Sequence, residues 1–206
     1  GFALTQYLVT LGGGNLFILL FIGGIVCIVL GMGMPTSGVY VLLAFLVAPG
    51  LIEAGVDKIP AHLFILYFGM MSMITPPIAL AAFAAASLSG ADPMKTGFAA
   101  MRMGWVAYVI PFLFVFSPTL VMQGETADIV LNTTTAIIGV YIVSVAMTGY
   151  FTRPFSPGIR ILLGAAGAAA LVPDSVLGTG GLIDLAGAAI GGAILVRERL
   201  AVRREA

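Results

Sequence analysis

From Gly1 to Ile52 the chain carries no charged residue, and Glu53 is the first. A water-facing surface cannot be built from such a stretch, because soluble domains carry roughly 25% charged residues. The rest of the chain continues the bias: of 206 residues, 60% are hydrophobic and 9% charged. Hydrocarbon must then be the solvent for much of the surface, and in hydrocarbon every backbone N–H and C=O needs a partner inside the protein. Helices meet that demand segment by segment. The expected fold is an all-α polytopic membrane protein, its helices interrupted by Gly/Pro breaks.

Composition also removes several functions. The nine basic and nine acidic residues balance, and the basic ones are scattered or gathered at the C-terminus without interleaved aromatics, so no nucleic acid is expected as partner. Cys27, the single cysteine, lies in Ile25-Val26-Cys27-Ile28-Val29 and reads as packed core rather than disulfide or metal ligand. No phosphate-binding loop, metal-ligand cluster or nucleophile elbow is present, so neither an enzyme nor a cofactor is expected. The start at Gly1-Phe2-Ala3 shows neither an initiator Met nor a charged signal-peptide region. We therefore expect a piece of a longer protein.

A spanning helix takes about 20 mainly apolar residues. Segments 98–120, 128–150, 158–173 and 181–196 fit or come close. The last two are rich in Ala and Gly (Gly164-Ala165-Ala166-Gly167, and Gly187 with Gly191), which favours close helix packing within the chain over dimerisation. Counting back from Arg197, Arg199, Arg203 and Arg204 on the cytoplasmic side puts Arg153, Arg160, Lys95 and Arg102 inside as well. Glu125, Asp128 and Asp174 then fall outside, and Lys58 is the one basic exception.

Segment 61–90 becomes an inward crossing. As one straight helix it would reach about 45 Å against a core of about 30 Å. Thr75-Pro76-Pro77 interrupts it: two prolines remove two backbone donors and clash with the preceding turn. Carbonyls near Met73-Ile74-Thr75 are expected to lose their helical partners. A second interruption, Gly31-Met32-Gly33-Met34-Pro35-Thr36, lies between apolar arms 15–30 and 37–48. The second arm reaches only about 18 Å as helix, so 15–48 reads as a re-entrant hairpin; a single kinked span is the alternative.

Irregular backbone at membrane depth survives only where it is buried in protein or lines an aqueous cavity. Two breaks, each with a Thr beside a Pro, offer unwound carbonyls and hydroxyls as a hard-oxygen cage for Na⁺, and exposed helix N-termini suit a carboxylate. The ion-site candidates are Gly31, Gly33, Thr36, Gly69, Thr75 and Pro76; Ser37 and Pro77 are weaker candidates for substrate contact, and Ser72 is a weak candidate of the Thr kind. The competing reading of Thr36 and Thr75 is a hydroxyl bonded to the carbonyl one turn back.

At these residues the chain resembles the large membrane subunit of TRAP transporters, with the TAXI branch the nearest. Gly31-Met32-Gly33-Met34-Pro35-Thr36, Val47-Ala48-Pro49, Ala61-His62-Leu63-Phe64, Tyr67-Phe68-Gly69, Ile74-Thr75-Pro76-Pro77-Ile78-Ala79 and Gly90-Ala91-Asp92-Pro93 occur in that order. The likeness covers about residues 10–120. It implies sodium-driven uptake of organic acids such as dicarboxylates in a bacterial or archaeal cytoplasmic membrane. A periplasmic substrate-binding protein would deliver the substrate, a small membrane subunit or fused N-terminal helices would assist, and the transport domain would move as an elevator. The large subunit is an inverted repeat, each half having a hairpin and a broken helix. By that resemblance Gly31–Thr36 is the second hairpin's tip, entering from the periplasm, and Thr75-Pro76-Pro77 is the break that follows. Only one half is found here, so the chain reads as the C-terminal part of the permease. Residues 1–120 form the half-repeat and 121–206 form additional helices with a basic cytoplasmic tail.

Other residues are expected to be structural. His62 reads as an interfacial or capping group ahead of a proton-coupled one. Trp105 and Tyr108 read as interfacial anchors, and the clusters Met70, Met71, Met73 and Met101, Met103 as core. Asp57 and Glu53 belong to a solvated outer loop, and Asp184 to a helix N-terminus. Two other functions compete with the sodium transporter: a non-transporting scaffold whose breaks are packing kinks, and a proton-coupled transporter using His62.

Overall fold

A computed structural model describes residue 10 and residues 12–172 and 181–205. Residue 173, expected to end a span, and Asp174 lie outside the described residues. The chain divides into two compact units, Gly1–Val115 and Phe116–Ala206. Among the described residues both are helical, without a strand. Large apolar side chains point outward: Leu88 is 92% exposed, Ile161 74% and Phe45 71%. That is the reverse of a soluble surface of the same size and fits a hydrocarbon environment. Two helical stretches, Pro93–Phe116 and Thr126–Thr148, are long and apolar enough to cross a membrane, and little of either is buried inside the protein.

In the first unit α1 (Leu16–Gly31) starts at Asn15, whose side-chain oxygen accepts from the Phe17 and Ile18 amides at 2.9 and 3.3 Å. It ends four residues before Pro35, at the expected break. Helix α2 (Thr36–Leu46) is followed directly by a short helix, α3 (Ala48–Glu53), which the sequence did not announce. The chain doubles back here, since Leu51 comes close to Gly23. The arms 15–30 and 37–48 thus correspond to α1 and to α2 with the start of α3.

Helix α4 (Lys58–Met71) and helix α5 (Leu80–Ser89) are the two halves of the interrupted segment 61–90. Each end of α5 has a local cause. Ahead of it, Pro76 and Pro77 deny the chain amide donors. Behind it, Gly90 adopts φ +71°, and the Ala91 amide closes back on the Ala86 carbonyl. Asp92 then caps α6 (Pro93–Met103) by accepting from the Lys95 amide at 2.8 Å, with Pro93 in the first turn. The motif Gly90-Ala91-Asp92-Pro93 is therefore a helix stop joined to a helix start. Helix α7 (Val106–Phe116) carries an internal Pro111. The expected single helix 98–120 is accordingly two helices that begin earlier, at Pro93, and end at Phe116, before a 3-10 turn at Pro118–Val121.

The second unit holds α8 (Thr126–Thr148), α9 (Pro157–Leu171) and α10 (Leu182–Glu205). The first two are close to the expected 128–150 and 158–173, whereas α10 starts where expected but continues past 196 to Glu205, so the basic segment expected as a tail is helical. Glycines set their spacing. A Cβ added at Gly139 would stand 3.0 Å from the Gly167 carbonyl, and one at Gly167 would stand 3.0 Å from the Gly139 carbonyl. Gly187 faces the Ala166 carbonyl and Ala170 amide of α9, and Gly191 faces Ile142 of α8. The small residues serve packing inside the chain, as expected. An ion pair between Arg153 and Glu198 (2.8 Å) ties the α8–α9 connection to α10. Arg160 donates to the Ala146 and Met147 carbonyls, each at 3.1 Å, at the end of α8.

These contacts are testable by thermal unfolding of the purified protein in detergent. A Cβ at position 187 would lie 2.5 Å from a backbone oxygen and 2.6 Å from a backbone nitrogen, whereas one at Gly192 meets nothing within 4 Å. Gly187→Ala is expected to cost about 1–3 kcal/mol relative to Gly192→Ala. Gly192→Ala itself should be neutral or stabilising, because it only gains helix propensity.

Candidate functional site

The two breaks of the first unit are brought together by glycine. Helices α1 and α4 run the same way: Gly23 lies near Phe64, Gly24 near Phe68, and Gly31 near Gly69 and Ser72. A Cβ on Gly31 would stand 2.8 Å from the Ser72 hydroxyl and 3.0 Å from the Gly69 carbonyl. Gly69 in turn takes Val39 and Leu43 of α2 against its face, at 2.6 and 2.9 Å from a hypothetical Cβ. Any side chain at 31 or 69 would push these elements apart. Gly33 has a different task, since it meets no neighbour but holds φ +81° in the tip.

The carboxyl ends of α1 and α4 therefore converge, and each helix end carries about half a negative charge on its last carbonyls. Around this point α6 and α7 close the second break. The Pro76 ring sits against Gly97, Ile74 against Gly104, and Thr75 against Tyr108. An aromatic cluster fixes α7 on α4, with Phe112 5.6 Å from Phe64 and 5.7 Å from Phe68.

The break is less open than its prolines imply. Thr75 donates its hydroxyl to the Met71 carbonyl at 2.6 Å, and Ser72 donates to the Gly69 carbonyl at 2.6 Å. The Ala81 amide reaches back to the Met73 carbonyl at 3.0 Å. Of the carbonyls expected to be orphaned, that of Met73 is taken up across the break. The Thr75 hydroxyl makes the one-turn-back bond of the competing reading, a bond that uses its proton and not its lone pairs. Thr75 and Ser72 are buried, 8% and 1% exposed.

The structure thus brings Gly31, Gly69, Ser72, Thr75 and Pro76 into one neighbourhood. Thr36 and Ser37 stand exposed on the first turn of α2, and Pro77 is exposed. Neither α2 (after Pro35) nor α5 (after Ala79) has a side-chain cap on its N-terminus.

Several sequence expectations change. Tyr108, expected as an interfacial anchor, has its hydroxyl 2.6 Å from that of Thr75. A tyrosine in an apolar helix has to place its hydroxyl somewhere, which was the available signal, but the sequence does not say where. His62 does not cap α4, which starts at Asp57 and Lys58. Its Nδ1 shares a 3.0 Å hydrogen bond with the Tyr40 hydroxyl of α2, beside a 440 Å³ cavity lined by Tyr40, Lys58, Ile59, His62, Leu63 and Leu66. Met70 and Met103 are not core, being 44% and 85% exposed. Asp57 and Glu53 are exposed as expected, and Asp184 is buried in the first turn of α10.

Helix ends and unwound backbone enclosed by apolar helices are the architecture of a membrane transport protein. Residues 1–129, more than half of the chain, match the family described as "Tripartite ATP-independent periplasmic transporter, DctM component", and the chain belongs to that family. It is thus the large membrane component of a TRAP transporter. Searches of curated proteins and of solved structures find no match.

The Gly31–Ser72 contact yields a double-mutant prediction. Gly31→Ala should destabilise the protein by about 1–3 kcal/mol through overpacking. Ser72→Ala removes the oxygen that would be 2.8 Å away, so Gly31→Ala should cost less in that background. Thermal midpoints of the four proteins would give a coupling of about 0.5 kcal/mol or more.

Proposed function

We propose that this chain is the C-terminal part of a TAXI-type, sodium-driven importer of organic acids, and that the cation is held where α1 and α4 end. The observation that carries this reading is the direction of the hydroxyl protons. Ser72 and Thr75 both turn their protons onto helix carbonyls. Their oxygens can then offer only lone pairs to a ligand, beside the carbonyl ends of two parallel helices. Such a neighbourhood favours a cation over an anion. Among the described residues it contains no carboxylate, and neutral hard oxygens suit a monovalent ion better than a divalent one.

The ligand set in this reading is the backbone at Gly31, Gly33 and Gly69 with the Thr75 hydroxyl, and Thr36 at the facing helix start. Pro76 holds the break open. The uncapped N-termini of α2 and α5 suit the carboxylate of an organic acid, with Ser37 and Pro77 beside them. The helical hairpin enters the inner membrane from the periplasm as a re-entrant element, and the C-terminus and the basic residues other than Lys58 lie in the cytoplasm. A periplasmic binding protein supplies substrate, a small membrane subunit or fused helices complete the assembly, and an elevator-like movement carries the site across. The other half of the repeat holds a second ion site and the group that clamps the carboxylate. Helices α8, α9 and α10 act as accessory scaffold.

The test is uptake of labelled dicarboxylates and amino acids into proteoliposomes holding the whole transporter with its binding protein, with and without a Na⁺ gradient. Uptake should require Na⁺, and Thr36→Ala and Thr75→Val should each weaken it. Loss of a ligand to a charged group predicts about a tenfold rise in the Na⁺ needed for half-maximal rate in Thr75→Val. Uptake indifferent to Na⁺, or unharmed by both changes, would leave the breaks as packing kinks.

A further inference from the structure

Tyr108 lies on α7, outside both breaks, yet its hydroxyl is 2.6 Å from Thr75 Oγ1, which is itself 2.6 Å from the Met71 carbonyl oxygen. A threonine hydroxyl has one proton and two lone pairs, and a carbonyl only accepts. If Thr75 gave its proton to Tyr108, it would face the Met71 oxygen at 2.6 Å with lone pair against lone pair. The contacts are consistent only when Thr75 donates to Met71 and Tyr108 donates to Thr75. One lone pair of Thr75 is then occupied by the phenol, and one remains.

We propose that Tyr108 is a positioning residue for the cation site: its phenol holds the Thr75 proton on the Met71 carbonyl and leaves a single lone pair for the ion. The proposal rests on the sodium reading above. Without the phenol, the Thr75 hydroxyl is free to turn its proton into the site, where it repels a cation. In this half-buried, low-dielectric place such an orientation carries more weight than it would in water. The phenol is itself held in register. One turn along α7, Phe112 packs edge-on against Phe64 and Phe68 of α4, the helix whose broken end carries Thr75. Ile74, next to Thr75, packs against Gly104. The break is therefore gripped on both sides of the hydroxyl pair.

The experiment measures Na⁺ dependence of uptake by the whole transporter in proteoliposomes, starting with the wild type. Wild-type uptake that ignores Na⁺ overturns the sodium reading and this proposal with it. With a Na⁺-dependent wild type, Tyr108→Phe keeps the ring and removes the hydroxyl. The Na⁺ concentration for half-maximal rate should rise about threefold to tenfold, the worth of one hydrogen bond, while the rate at saturating Na⁺ stays within about twofold. The effect must pass through Thr75: added to Thr75→Val, Tyr108→Phe should shift the Na⁺ dependence no further, whereas Thr75→Ser should retain both the affinity and its sensitivity to Tyr108→Phe. An unchanged Na⁺ requirement in Tyr108→Phe overturns the positioning role alone. So does an equal shift in the Thr75→Val background, which would mark Tyr108 as packing. If Tyr108→Phe does not assemble, the Thr75→Ser and Thr75→Val comparison still decides. Equal Na⁺ requirements in those two variants would show that no hydroxyl at 75 is there to be positioned.

Discussion

A helix interrupted inside an apolar bundle leaves backbone groups that water cannot reach, and the first unit is organised around that debt at Pro76 and Pro77. The two residues lack amide donors, and each unsatisfied polar group in hydrocarbon costs several kcal/mol. The chain answers locally, with the Ala81 amide on the Met73 carbonyl and the Thr75 and Ser72 hydroxyls on the carbonyls of Met71 and Gly69. What is left irregular is enclosed. Gly97, Gly104 and Gly31 bring α6, α7 and the end of α1 to within van der Waals distance of Pro76, Ile74 and Ser72. Without the small residues the break could not be covered so closely.

The same solution fixes the electrostatics. Because α1 and α4 run parallel, their carboxyl ends meet rather than cancel, and two partial negative charges share one place. An antiparallel pair would have set a helix start beside a helix end. Satisfying the backbone with hydroxyl donors also fixes where those protons point, since a proton spent on the Gly69 or Met71 carbonyl cannot be offered elsewhere.

The second unit meets the membrane differently. Among the described residues its helices pack backbone to backbone through Gly139, Gly167, Gly187 and Gly191. Its charged contacts lie at helix ends and connections, as with Arg153 on Glu198 and Arg160 on the carbonyls that end α8. The family match stops at residue 129, close to where this second unit begins.

The place of each break was legible in the sequence because Gly/Pro chemistry is local: the Gly31–Pro35 stretch and the Pro76-Pro77 pair each disfavour a continuous helix through their own backbone, whereas the lone Pro111 is carried inside α7. Apolar helices were legible for a similar reason, since hydrocarbon allows each segment few other ways to satisfy its backbone. The short helix Ala48–Glu53, the outward turn of Met70 and Met103, and the burial of Ser72 were not. Each depends on which neighbour a face meets, and helical periodicity in a chain apolar on all sides does not record it. Tyr108 and Thr75, 33 residues apart in sequence, show the limit. Two hydroxyls find each other only after α7 has folded back along α4, so the residue types came from the sequence, and their pairing came from tertiary packing.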